Sequence, residues 1–194
     1  MNQQNLITQL FDVGCIKFGN FTMVSGLSSP IYIDLRLIMA KPKLLQQVAL
    51  SYSGLIQNLF FDHLAAVPYA ALPIGTALSL EINKPLIYPR KEVKKHGAKQ
   101  AVEGVFSPLD KAIIIEDLVT KGGSVLGAIE VLEQAGLTIT DVVVLIDREQ
   151  GGKERLLDRG YALYAHFTLS EVVRVLHDNQ RISKDEASTV INSI

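Results

Sequence analysis

Glu116 and Asp117 are adjacent carboxylates closing the apolar, β-branched run 112–115, and a Thr120-Lys121-Gly122-Gly123-Ser124 loop then opens a helical pattern. Glycines let backbone amides crowd around an anion, the N-terminus of the following helix adds partial positive charge, and the hydroxyls of Thr120 and Ser124 supply donors. Two carboxylates beside such a cradle would repel a phosphate directly, so they are better explained as acceptors for two neighbouring sugar hydroxyls. The combination reads as a site for a ribose carrying a 5-phosphate. A plainer reading uses the same residues: the acids end a strand, and Thr120 or Ser124 caps a helix. The segment contains neither the Gly-x-x-x-x-Gly-Lys-Ser/Thr of a P-loop nor the Gly-x-Gly-x-x-Gly of a dinucleotide fold.

The elements that must hold these residues follow from apolar spacing. Residues 5–17 and 44–60 carry Leu and Ile at mostly helical intervals and read as amphipathic helices. Between them, Ile31-Tyr32-Ile33 follows Ser28-Ser29-Pro30 and reads as a strand after a turn, within a flap or hood over residues 18–36. Further on, β-rich runs at 64–67, 85–88, 112–116 and 142–146 alternate with helical or loop segments. The best defined unit is strand 112–116, helix 124–134 with Gly136 at its C-cap, and strand 141–146, which is a βαβ unit. Such units favour a parallel sheet that binds ligands beyond the carboxyl ends of its strands. Glu116, Asp117, Asp147 and Arg148 all fall at that edge, and 169–176 reads as a closing helix.

A chain of 194 residues, 48% hydrophobic, is expected to form one domain, with about 1–43 as hood and 44–180 as core. A net charge of −1 provides no general basic footprint for nucleic acid, so an anionic ligand must meet a local cluster. The single Cys15 excludes an internal disulfide and fits a reducing, cytoplasmic setting. The run 64–80 is interrupted by Pro68, Pro73 and Gly75, and the N-terminus lacks a basic flank leading into an apolar core, so neither secretion nor membrane spanning is expected.

The local cluster lies at 90–99, where Arg90, Lys91, Lys94, Lys95, His96 and Lys99 stand against one acid, Glu92, with Gly97 as a hinge. Such a run is either a solvated loop or a surface for polyanions. Several segments together resemble orotate phosphoribosyltransferases, especially the form fused to orotidylate decarboxylase in animal-type UMP synthase. They are Phe18-Gly19-Asn20-Phe21, the stretch from Ser25-Gly26 through Pro30 to Arg36, 67–73, Arg90 through Gly97, 114–117 and Asp147 through Gly152. The resemblance covers roughly residues 10–180. The Glu-Asp loop alone indicates a phosphoribosyltransferase, whereas the basic loop and the Ser-Gly-Leu-Ser-Ser-Pro segment indicate the orotate branch.

The resemblance implies a type I phosphoribosyltransferase fold, with a mostly parallel sheet flanked by helices beneath a small N-terminal hood. It implies transfer of ribose 5-phosphate from 5-phosphoribosyl 1-diphosphate (PRPP) to orotate, giving orotidine 5′-monophosphate and diphosphate in UMP biosynthesis, with Mg²⁺ held mainly by PRPP. Arg90, Lys91, Lys94 and His96 would neutralise the departing diphosphate, and in a homodimer the loop's Lys94 and His96 would reach the neighbouring site. Glu116 and Asp117 would hold the ribose hydroxyls, while Thr120, Lys121, Gly122, Gly123 and Ser124 would form the PRPP phosphate loop. Tyr32, Ile33, Thr120 and Arg148 would bind orotate, Arg148 through the base's carboxylate. Without the resemblance, Tyr32 reads as a core aromatic and Arg148 as a surface residue.

Four positions depart from the family pattern. Val24 stands where a ligand-contacting Lys is usual, Lys95 replaces an Asp, Lys121 replaces a small residue, and Tyr88-Pro89 precedes Arg90 in place of a further basic residue. Cationic charge is thus moved, and Lys121 would strengthen phosphate binding, obstruct it or point to solvent. The alternatives are a divergent PRPP- or nucleotide-binding regulator with weak or no transferase activity, or a transferase for another base, against which Arg148 and the hood argue. With 194 residues there is no room for a decarboxylase domain, so a separate polypeptide is expected to perform the next step.

Overall fold

Gly14, with φ +82°, ends the first helix and turns the chain into a hairpin, so the helix expected over 5–17 is shorter than its apolar pattern. The computed structural model describes residues 3–22, 26–91 and 101–194. Lys94, Lys95, His96, Gly97 and Lys99 of the basic loop, and Val24 and Ser25 of the hood, lie outside the described residues.

Helix α1 (Gln3–Asp12) leads into β1 (Ile16–Thr22) and β2 (Ser28–Ile33), which pair antiparallel as a separate two-stranded sheet. A 3-10 turn (Leu35–Ala40), capped by Asp34, enters α2 (Pro42–Ile56), whose proline sits at the first helical turn where its missing N–H costs nothing. The chain continues through β3 (His63–Ala66), α3 (Ala71–Ile82), β4 (Leu86–Pro89) and β5 (Val102–Glu103). Then come β6 (Lys111–Val119), α4 (Gly123–Gln134), β7 (Thr138–Asp147) and α5 (Gly152–Leu157). Finally β8 (Ala162–Thr168) is followed by α6 (Leu169–Asp178) and α7 (Lys184–Ile191).

The main sheet has the order β5-β4-β3-β6-β7-β8, parallel throughout except for the antiparallel edge strand β5. Its central strands β3, β6 and β7 are largely buried on both faces, as a parallel sheet requires, while the edge strand β8 is mostly half-buried. Ile113, Ile115, Val143 and Leu145 join the core shared with α1, α2, α3 and α6, while Ala112, Ile114, Val142 and Val144 join the core under α4. The expected hood range does not pack apart from the rest: Leu6, Ile7 and Leu10 of α1 and Ile31 of β2 are buried in the first of these cores. Helices α6 and α7 each begin with a reciprocal capping box, Thr168 with Glu171 and Ser183 with Glu186. Among the described residues no helix is long and apolar enough to cross a membrane.

Two expected strands are longer than their apolar runs. β6 continues to Val119 and β7 begins at Thr138, so Glu116 and Asp117 lie inside a strand and not at its end. Pairing with β7 explains the extension, since Glu116 opposes Val144 and Val119 opposes Asp147. The plain expectation of strand-terminating acids is therefore incorrect.

Candidate active site

The sheet is built outward from its middle, with the chain moving from β3 to β4 on one side and from β6 through β7 to β8 on the other. At such a switch point the loops leaving neighbouring strands diverge and leave a crevice beyond their carboxyl ends. A cleft of about 310 Å³ occupies it. Pro68, Tyr69 and Ala70 after β3, Lys91 after β4, Glu116 and Asp117 of β6, and Ile33, Asp34 and Arg36 of the hood line it.

The acid pair is the floor. The Asp117 N–H donates to Glu116 Oε1 at 3.0 Å and the Leu118 N–H to Asp117 Oδ1 at 2.9 Å, so local backbone holds each carboxyl in place. Burial, and for Glu116 the neighbouring Asp117 charge next, push both carboxyls above their ordinary values. Asp34 adds to the effect on Asp117, while Arg36 holds Asp34 itself below the carboxylate range through hydrogen bonds of 2.7 and 2.8 Å. A buried acid beside a half-buried one of the same sign is a place that donors or positive charge would stabilise.

Beyond β6, the loop turns through Gly122 at φ +72°, and no side chain caps α4. The first amides of that helix are left for a ligand. Gly122 is buried, whereas Lys121, Gly123 and Ser124 are exposed and Thr120 is half-buried. Lys121 is exposed like Gly123 and Ser124, and its carbonyl accepts a 3.2 Å bond from Arg155 Nη1.

Arg148 follows β7, its N–H donating to the Val119 carbonyl at 2.9 Å. Its side chain is not on the surface: the residue is 6% exposed. Nη2 is 3.4 Å from Ser29 Oγ of the hood, and Nε is buried without a hydrogen-bond partner. It forms no ion pair among the described residues, and burial pushes its pKa down. A buried guanidinium with an idle donor has the geometry to accept a planar anion. Tyr32 is half-buried, tilted against Phe21 at 5.6 Å, and its hydroxyl accepts from Arg36 Nη2 at 3.4 Å.

The start of the basic loop is engaged differently. Lys91 lies 4.6 Å from the Tyr69 ring centroid and lines the cleft, whereas Arg90 is ion-paired with Glu103 of β5. Sequence reading missed Glu103, and with it Ser29, Asp34, Arg36 and Tyr69. The quoted family segments contained Ser29, Asp34, Arg36 and Tyr69, but only tertiary folding gave them a place in the site. No group of three or more His, Cys, Asp or Glu positioned to hold a metal occurs among the described residues.

Comparison with known proteins agrees with this geometry. The phosphoribosyl transferase domain family model matches residues 38–159. The uridine 5′-monophosphate synthase of Bos taurus is 44% identical over 188 residues, 96% of this chain but 39% of the relative. The orotate phosphoribosyltransferase of Pyrococcus horikoshii is 37% identical over 187 residues, 95% of this chain and 98% of the relative. The solved UMP synthase of Leishmania donovani superposes with a TM-score of 0.92 at 41% identity, covering 99% of this chain and 42% of that one. The chain thus spans about two fifths of the bifunctional relatives it matches. With the type I sheet, the acid pair at its switch point and a full-length relative, the chain belongs to the orotate phosphoribosyltransferase family.

Proposed function

We propose that this protein transfers ribose 5-phosphate from PRPP to orotate, forming orotidine 5′-monophosphate and diphosphate in pyrimidine biosynthesis. The observation that carries the choice of base is Arg148, a buried guanidinium with an unpartnered Nε at the end of the strand next to the acid pair. A base bearing a carboxylate satisfies it; uracil or hypoxanthine would leave the charge buried and unpaired.

Glu116 and Asp117 accept hydrogen bonds from the ribose hydroxyls, and the amides and hydroxyls of Thr120 through Ser124 hold the 5-phosphate. Tyr32 packs on the orotate ring beside Ile33. As the anomeric carbon loses diphosphate, positive charge grows on the ribose and negative charge on the leaving group. Lys91, with Lys94 and His96 from the loop, neutralises the latter; Arg90 joins them once released from Glu103. With no group of three or more acids, histidines or cysteines placed to hold a metal among the described residues, a Mg²⁺ ion would be carried mainly by the substrate's phosphates and water, where it would offset charge on the diphosphate. By the family resemblance the protein works as a cytoplasmic homodimer whose basic loop completes the neighbouring site, and its product is the substrate of a decarboxylase, the activity with which the transferase is fused in bifunctional UMP synthase.

The test is diphosphate release from PRPP and Mg²⁺ with orotate, uracil, hypoxanthine or no base. Turnover with orotate alone supports the proposal. PRPP binding without turnover would instead identify a sensor.

A further inference from the structure

Tyr52 of α2 is fully buried, and its hydroxyl donates a 2.6 Å hydrogen bond to the backbone carbonyl of Glu116, 64 residues away. The Leu145 backbone amide stands beside the Tyr52 hydroxyl oxygen. β6 pairs with β7 without a shift from Ile114 to Val119, yet Ile115 and Leu118, three residues apart, both pack on the core that contains Tyr52. Glu116 and Asp117 lie between these two residues. Tyr52 meets the strand at that place.

A phenylalanine would fill the same volume without burying a hydroxyl, so the polar contact itself has to account for the residue. The carbonyl it binds belongs to the peptide joining Glu116 to Asp117, and the N–H of that same peptide donates to Glu116 Oε1. The peptide plane is thus held at both ends. Rotating it would swing the backbone from which both carboxyl groups project.

We propose that Tyr52 is a positioning residue of the ribose site, whose hydroxyl fixes the Glu116–Asp117 peptide so that both carboxyl groups meet the sugar hydroxyls of PRPP. This rests on the reading of the acid pair as ribose acceptors.

The experiment compares the wild type, Y52F and S51A by steady-state kinetics, by calorimetric titration with PRPP and MgCl₂, and by thermal melting. Ser51 is the control because it is buried on the same helix but its hydroxyl donates to Val48 O at 2.7 Å, away from the acids. Loss of one buried hydrogen bond should raise the KM and Kd for PRPP roughly three- to tenfold in Y52F. KM for orotate and Tm should follow those of S51A. Unchanged PRPP affinity in Y52F overturns the proposal. So does a joint rise of both KM values with a collapsed Tm, which would assign the hydroxyl to folding. If the wild type binds PRPP but does not turn over, the transferase function falls while the calorimetric ratio still decides the role of Tyr52; no PRPP binding at all removes both.

Discussion

Gly152 lies against Thr120 so closely that a Cβ on the glycine would stand 2.6 Å from the Thr120 carbonyl oxygen and 2.8 Å from Val119 Cγ2. The start of α5 is thereby docked onto the loop expected to hold phosphate. A methyl group there must displace backbone, not a flexible side-chain end. In G152A the KM for PRPP should rise by about tenfold or more, because small displacements in a positioned site are costly. Steady-state kinetics with varied PRPP checks this; an unchanged KM would detach α5 from the site.

Replacing Arg148 separates affinity from stability. R148M should raise the KM for orotate by roughly 10²-fold or more, because the carboxylate loses its charged partner. The unliganded variant should melt no lower than wild type, since a buried cation without an ion pair is removed. Kinetics and calorimetry on one preparation test both halves.

The acid pair gives a pH dependence of defined sign. A carboxyl whose folded pKa lies above its unfolded value stabilises the protein below the unfolded value, and that contribution is lost as pH rises through the folded one. For Glu116 the window runs from 4.5 to about 9. E116Q should therefore be more stable than wild type at pH 8, by roughly 1–3 kcal/mol, with the difference vanishing below pH 4.5. Its PRPP affinity should fall at the same time. Denaturant titrations across this range measure the first effect.

Lys121 departs from the family pattern and is exposed. K121A should change the KM for PRPP by less than about threefold, as expected for an exposed charge. A larger loss would mean that the side chain folds back onto phosphate.

Apolar patterning made the βαβ unit around Glu116 and Asp117 legible, because strands 112–116 and 141–146 each hold a continuous apolar run rich in β-branched residues and helix 124–134 carries apolar residues at helical spacing. It was blind to β1, whose alternation is interrupted by Lys17, Gly19 and Asn20, and to β5, two residues long and defined only by pairing with β4. It also overran α1, since apolar spacing continues past Asp12 while Gly14 breaks the helix. In the site, the acids and glycines were legible as residue types with few alternative uses. Arg148 was not, because an arginine beside a strand end is ordinarily exposed.

By itself the sequence determined an α/β sheet, a glycine-rich turn after an acidic pair, and a segment pattern shared with one enzyme family. These are local properties, set by neighbours a few positions apart. The tertiary structure alone decided that Arg148 is buried beneath Ser29 without an ion pair among the described residues, that Arg90 is held by Glu103, and that Tyr52 grips the peptide of Glu116. Each depends on segments 13 to 119 residues apart meeting at one edge of the sheet, where burial and not residue type sets the electrostatic demand.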